Sequence, residues 1–200
     1  MTVRYSPENL VERRSFPLAE LRASDDGDSR IVTGHAAVFD VLSHPIADFR
    51  ETIAPGTFAE SIKNDDIRAL WNHDPSRVLG RNKSKTLKLS EDDRGLAFEM
   101  DVAETQVGND ALVSIRRGDV DEMSFGFITI EDEWTQEPDE LATRRLVKVR
   151  LLDVSPVAFA AYPDTDVAVR ELTAWKESQS SAQRSLASRE REQRLAEAEL

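Results

Sequence analysis

The sequence predicts an α+β protein: mainly antiparallel strands flanked by a few helices, folded as a small barrel or sandwich, with a C-terminal helical or disordered tail. Three observations lead there. Gly95 to Val102 alternates cleanly, with Leu96, Phe98, Met100 and Val102 on one side and Glu99 and Asp101 on the other, as in a half-buried antiparallel strand. Further short apolar runs, separated by turn residues, recur between Ile31 and Ser155. Beyond Glu171 the composition shifts to Ser, Gln, Ala and charged residues, which bury too little apolar surface to form a core, so residues 1–172 are expected to fold and 173–200 to form the tail.

Taken in order, the first thirty residues are polar, with a short strand expected at Arg14 to Leu18 and a loop at Ser24 to Ser29. Ile31 to Phe39 reads as a strand that carries His35 as a packed residue, and His44, before Pro45, reads as a solvated loop histidine. Thr57 with Glu60 three residues on forms a capping-box signature for a short helix docked by Phe58 and Ile62. Ile67 to His73 reads as a strand with Ile67, Ala69, Trp71 and His73 on one face, ending at the turn residues Asp74-Pro75-Ser76. Short strands are expected at Arg77 to Arg81 and Thr86 to Ser90. From Thr105 to Arg117 the period becomes helical, with Val107, Ala111, Leu112 and Ile115 on one face and Gly118 as the stop.

The helix delivers the chain to Met123-Ser124-Phe125-Gly126-Phe127, where Met123, Phe125 and Phe127 share one face and Ser124, Gly126 and Ile128 the other. Gly126 is expected to leave the surface beside Ser124 open to a ligand or a substrate backbone. An acidic loop is expected from Glu131 to Glu140. Arg145 to Ser155 follows as a strand, in which Lys148 and Arg150 mark the wet side and put Asp153 on the apolar one with Val147, Val149 and Leu151. A carboxylate there needs a partner such as a histidine N–H. The alternative is a strand that ends or bulges at Leu152, with Asp153 capping a turn.

Composition narrows the chemistry. The chain has 26 Lys and Arg against 38 Asp and Glu, a net charge of −12, which disfavours nonspecific binding to nucleic acid or anionic membrane and favours a basic protein surface as partner. With no cysteine, disulfides, thiolate metal sites and cysteine nucleophiles are excluded, in keeping with a reducing cytoplasm. Met1 to Tyr5 lacks the apolar core of a signal peptide, and a soluble cytoplasmic protein is expected. His35, His44 and His73 have no recognised ligand spacing, so a metal-dependent hydrolase is the weaker reading and no metal or organic cofactor is implied.

A serine hydroxyl needs an adjacent base, usually a histidine oriented by a third group. Ser124, His73 and Asp153 lie on three separate expected strands that a small barrel or sandwich can bring together.

Five ordered blocks carry a resemblance: Gly34 to Phe39, Glu51 to Phe58, Leu70 to Pro75 with Val78 to Arg81, Met123 to Phe127, and Leu152 to Val157. Over roughly residues 12 to 170 the chain resembles the prohead protease family of tailed bacteriophages, which is similar in fold to the herpesvirus assembly proteases, serine proteases on a closed or nearly closed β-barrel flanked by helices. The resemblance implies a serine endopeptidase with Ser124 as nucleophile, His73 as general base and Asp153, where the family more often has glutamate, as the third member. It also implies capsid or scaffold protein as substrate, cleavage of the enzyme itself, action inside the immature procapsid in the host cytoplasm, and a homodimer. Oxyanion donors are expected among backbone N–H groups, with the loop around Arg116 to Gly118 as the candidate. Ala160 stands where a proline is common, a departure expected to affect only the local turn. The competing reading is a non-catalytic capsid assembly or scaffolding protein that retains the protease fold and docks through its charged tail.

Overall fold

Alternation and turn chemistry together generate ten strands, which hydrogen-bond into two sheets in a computed structural model that describes residues 11–15, 20–24, 29–159 and 169–181. The elements run β1 (Glu12–Arg14), β2 (Glu20–Ala23), β3 (Ile31–Val38), β4 (Phe49–Ile53), α1 (Ala59–Asn64), β5 (Arg68–Trp71), β6 (Asp74–Arg81), β7 (Leu87–Glu91), β8 (Gly95–Asp101), α2 (Gln106–Arg117), β9 (Glu122–Thr135) and β10 (Ala142–Val157). The chain divides into two compact units, Met1–Asp164 and Thr165–Leu200. In the second, residues 169–181 form a helix, which runs through the expected boundary at 172/173. Ala160 and the tail from residue 182 onward lie outside the described residues, as does the expected strand beyond Ser15 up to Leu18.

The larger sheet has the order β1-β9-β10-β5-β6, with β4 also paired to β10, and the smaller one β2-β3-β8-β7. Strand β10 organises the first sheet. One edge pairs antiparallel with β9 along almost its whole length, while the other takes β4 in parallel at Ala142 to Leu146 and β5 in parallel at Asp153 and Val154. The sheet is therefore mixed rather than purely antiparallel. The barrel expected from the sequence is present as two ladders that no strand pair closes among the described residues; the two sheets instead share one apolar cluster.

That cluster explains the alternation. Val32, Leu96, Phe98 and Met100 from the smaller sheet meet Met123, Phe125, Phe127, Leu151 and Val154 from the larger. Phe125 stacks on Phe127 at 5.1 Å and takes the edge of Phe58 at 5.4 Å, a preferred aromatic geometry. Helix α2 adds Ala111, Leu112 and Ile115; its Thr105 cap accepts the N–H of Gly108, and Gly118 closes it in the left-handed region at φ 75°.

Three local expectations change. The capping box does not form: Thr57 donates its hydroxyl to the carbonyls of Ala54 and Leu146, so it stitches the helix entry to β10, and Glu60 pairs with Lys148 instead. Of the acidic loop expected from Glu131 to Glu140, residues 131–135 are instead the end of β9, because each of them is paired with a residue of β10. Asp132 binds Arg144, and Trp134 packs on Phe49 of β4, itself a strand the polar sequence hides. Thirdly, the N–H groups of Gly118, Asp119 and Val120 are taken up by the carbonyls of Ile115 and Ser114, so the loop after α2 serves its own helix end rather than an oxyanion.

Candidate active site

Ser124, His73 and Asp153 come together, and the sheet explains each position. Ser124 lies on β9 opposite Ser155 of β10, and Gly126 lies opposite Asp153. In a regular strand Asp153 would follow Leu151 onto the core face. A bulge between Leu151 and Asp153 inserts Leu152 as an extra residue, so the carboxylate moves to the face that carries Ser124 and Gly126. The bulge is stitched to α1, where the Ser61 hydroxyl accepts the N–H of Leu151. The sequence thus admits a bulge at Leu152, but its effect is to aim Asp153 rather than to cap a turn.

His73 is placed by a different device. Strand β5 ends at Trp71, which pairs with Asp74 of β6, so Asn72 and His73 form a two-residue hairpin turn with φ of 52° and 57°. Two positive φ values are the signature of the type I′ turn, which asparagine and histidine enter at lower cost than most residues. The turn takes His73 off the face of Ala69 and Trp71, where simple alternation would put it. Asn72 holds the turn in place: its N–H donates to the carbonyl of Pro156 at 3.1 Å, and its Oδ1 accepts the N–H of Ala158 at 3.0 Å.

The result is a continuous chain of hydrogen bonds. Asp153 Oδ1 lies 2.6 Å from His73 Nδ1, and His73 Nε2 lies 2.8 Å from Ser124 Oγ. A carboxylate only accepts, so Nδ1 carries the ring proton and Nε2 presents its lone pair to the serine hydroxyl. Ser124 Oγ also lies 3.1 Å from the main-chain carbonyl of Arg14 in β1, a second acceptor for its single proton. Asp153 Oδ1 accepts one more bond, from Ser155 Oγ at 2.6 Å. The site is dry: Ser124 is 0 % exposed, and the side chains of His73 and Asp153 are 7 % and 9 % exposed.

Gly126 has a different role from the one its sequence suggests. A Cβ at this position would meet Asp153 Oδ2 at 2.3 Å, so the space left by the missing side chain is filled by the carboxylate and not by a ligand. The other histidines stay apart from this centre. His35 bonds Asp92 through Nε2 at 2.9 Å, and His44 is exposed in the loop before β4. That bond and the N–H groups of Gly95 and Arg94 hold the Asp92 carboxyl below its ordinary range, against the upward pull of its partial burial. Among the described residues no three His, Asp or Glu side chains cluster as a metal cage, and no helix is long and apolar enough to cross a membrane.

Beneath β1 lies a second buried group of charges. Arg14 reaches Glu51 at 3.0 Å and Glu12 at 2.5 Å, and Arg144 reaches Glu12 at 2.8 Å, Glu51 at 3.1 Å and Asp132 at 2.7 Å. Burial pushes the Glu12 carboxyl up, but Arg144 and Arg14 outweigh it and hold Glu12 below its ordinary value; for Glu51, completely enclosed, burial wins over the same two arginines and its pKa is raised. Sequence alternation missed Ser155, Asn72, the Arg14 carbonyl and this cluster. The only signal for Ser155 is its spacing, since residues two apart on a strand share a face with Asp153.

Residues 18–179 match the family model described as caudovirus prohead serine protease. The chain is 25 % identical over 162 residues to the prohead protease of Enterobacteria phage HK97, covering 80 % of this chain and 68 % of that one. Its fold is similar to that of the bacteriophage T4 capsid assembly protease gp21, with a TM-score of 0.51 at 12 % identity, over 74 % of this chain and 99 % of the other.

Proposed function

Because the chain belongs to the caudovirus prohead serine protease family, we propose that it is the serine endopeptidase of procapsid maturation, cutting capsid or scaffold protein, and itself, inside the immature particle in the host cytoplasm. The single observation that carries the catalytic assignment is the Asp153–His73–Ser124 chain at 2.6 and 2.8 Å. Ser124 Oγ attacks the scissile carbonyl while its proton passes to His73 Nε2, and Asp153 stabilises the imidazolium. His73 then gives that proton to the leaving amine, and water hydrolyses the acyl-enzyme by the same route in reverse. No metal or organic cofactor enters this scheme. In the same reading the two sheets are the walls of an open barrel, and two such chains associate.

Incubating the purified protein with capsid or scaffold protein tests the assignment. Ser124→Ala is expected to lose about 10⁴- to 10⁶-fold in kcat, in the range of other serine proteases, and a fluorophosphonate is expected to label Ser124 in the parent. Cleavage at the parent rate by Ser124→Ala would sink the proposal, and the absence of both cleavage and labelling would favour a scaffolding protein that keeps the fold.

A further inference from the structure

Two serines face each other across the central ladder, and their surroundings make them unequal. Ser124 and Ser155 are a directly opposed pair on β9 and β10, and both are fully buried. The Ser124 hydroxyl meets an imidazole nitrogen that can take its proton, whereas the Ser155 hydroxyl donates to Asp153 Oδ1 at 2.6 Å. A hydroxyl bonded to a carboxylate beside a histidine that is already engaged has no base of its own. Its contribution has to be made through Asp153.

That contribution is geometric and electrostatic. Asp153 is confined on three sides: Oδ1 takes His73 Nδ1 and Ser155 Oγ, each at 2.6 Å, Oδ2 lies over Gly126, and the Leu152 bulge sets the direction of the Cα–Cβ bond. Ser155 supplies a second hydrogen bond to Oδ1, from a donor that takes no part in the proton transfer, so it holds the carboxylate independently of the histidine. A charge-assisted O–H to carboxylate bond is short and strong, and in a dry site it stabilises the carboxylate while the imidazolium forms.

We propose that Ser155 is a positioning residue of the proteolytic site, a fourth member whose hydroxyl locks the rotamer and the charge of Asp153 so that the carboxylate holds His73 in line with Ser124. This rests on the reading of Ser124, His73 and Asp153 as the catalytic group. Ser155 is not a reserve nucleophile and does not touch the substrate.

Ser155→Ala, Ser155→Thr and Ser124→Ala are compared in cleavage of capsid or scaffold protein. Loss of an outer hydrogen-bond partner of a reacting group lowers activity by about 10- to 100-fold, by analogy with the outer partners of metal-bound histidines. Ser155→Ala is expected to fall by that factor in kcat with KM unchanged. Its His73 Nδ1–H proton resonance is expected to leave the parent position, which loss of packing alone would not cause in a folded protein. Ser155→Thr, which keeps the hydroxyl, is expected to regain most of the rate. If Ser155→Ala retains parent kcat and the parent resonance while Ser124→Ala is inactive, the role of Ser155 is overturned and the catalytic group stands. Unfolding of Ser155→Ala, read by near-ultraviolet circular dichroism, would make Ser155 a packing residue and equally overturn it. Full activity of Ser124→Ala would instead overturn the catalytic group on which the inference rests.

Discussion

Two constellations of buried polar groups sit back to back in this fold, and they are built on opposite principles. In the candidate active site each link is a single hydrogen bond: the proton of Ser124 Oγ can pass to His73 Nε2, while the Nδ1–H of His73 stays on the ring and is held by Asp153. In the cluster of Glu12, Arg14, Glu51 and Arg144, each cation is gripped by two or more carboxylates, and a guanidinium has no proton to give up at any relevant pH. One arrangement permits rearrangement and the other forbids it. Arg14 joins them: its side chain lies in the cluster and its carbonyl rests on Ser124. A three-residue strand is short to hold a position at a sheet edge, and the buried charges supply the fixity that length does not.

Substitutions can separate the two. Asp153→Asn is expected to have the largest effect, about 10⁴-fold in kcat by analogy with the corresponding change in chymotrypsin-type proteases, with thermal unfolding close to the parent. Full activity in that variant would move the orienting role elsewhere. Arg144→Met should do the reverse. Removing one member of a buried ionic group leaves the others uncompensated, at a cost of about 3–5 kcal/mol, to be read in urea unfolding; a variant as stable as the parent would show that the cluster does not anchor β1.

Gly126→Ala lies between the two. Its Cβ displaces the Asp153 carboxylate, and a misplacement of about 1 Å costs on the order of 10²-fold in rate, so turnover should fall with little loss of stability. The smallest effect concerns pH. Glu12 is depressed in the fold, so its contribution is present above its ordinary value of 4.5 and is lost as pH falls through the lower folded value. Glu51 is raised and acts in the opposite sense, favouring the fold as pH falls below its folded value. Unfolding measured from pH 6 down to about pH 3 should therefore show a flatter acid limb in Glu12→Gln than in the parent, and an unchanged limb would assign the acid sensitivity to other carboxylates.

What the sequence made legible follows the same division. Residue types and family order brought out Ser124, His73 and Asp153, and clean alternation brought out β3, β8 and the aromatic face of β9. Simple alternation nevertheless puts two of the three side chains, His73 and Asp153, on the wrong face. Alternation assumes an uninterrupted strand, and His73 follows a turn with two positive φ values while Asp153 follows a bulge. Strand β4 and the last residues of β9 stay hidden because their acidic side chains, Glu51 and Asp132, are both satisfied by Arg144 of β10, which no local pattern records. Ser155 offers no sign beyond its spacing, because a serine in a strand is ordinarily structural and its importance comes only from the carboxylate two residues before it.

The contact between Gly126 and Asp153 has a consequence for how this site can change over generations. Oδ2 occupies the place where any other residue at 126 would put its first carbon. Neither position is free to drift alone: a side chain acquired at 126 expels the carboxylate, and the site survives only if another group takes over the orientation of His73 in the same lineage. Across related chains the two positions are expected to vary as a pair, and a survey that found bulky residues at 126 together with an unchanged Asp153 and full activity would contradict that coupling.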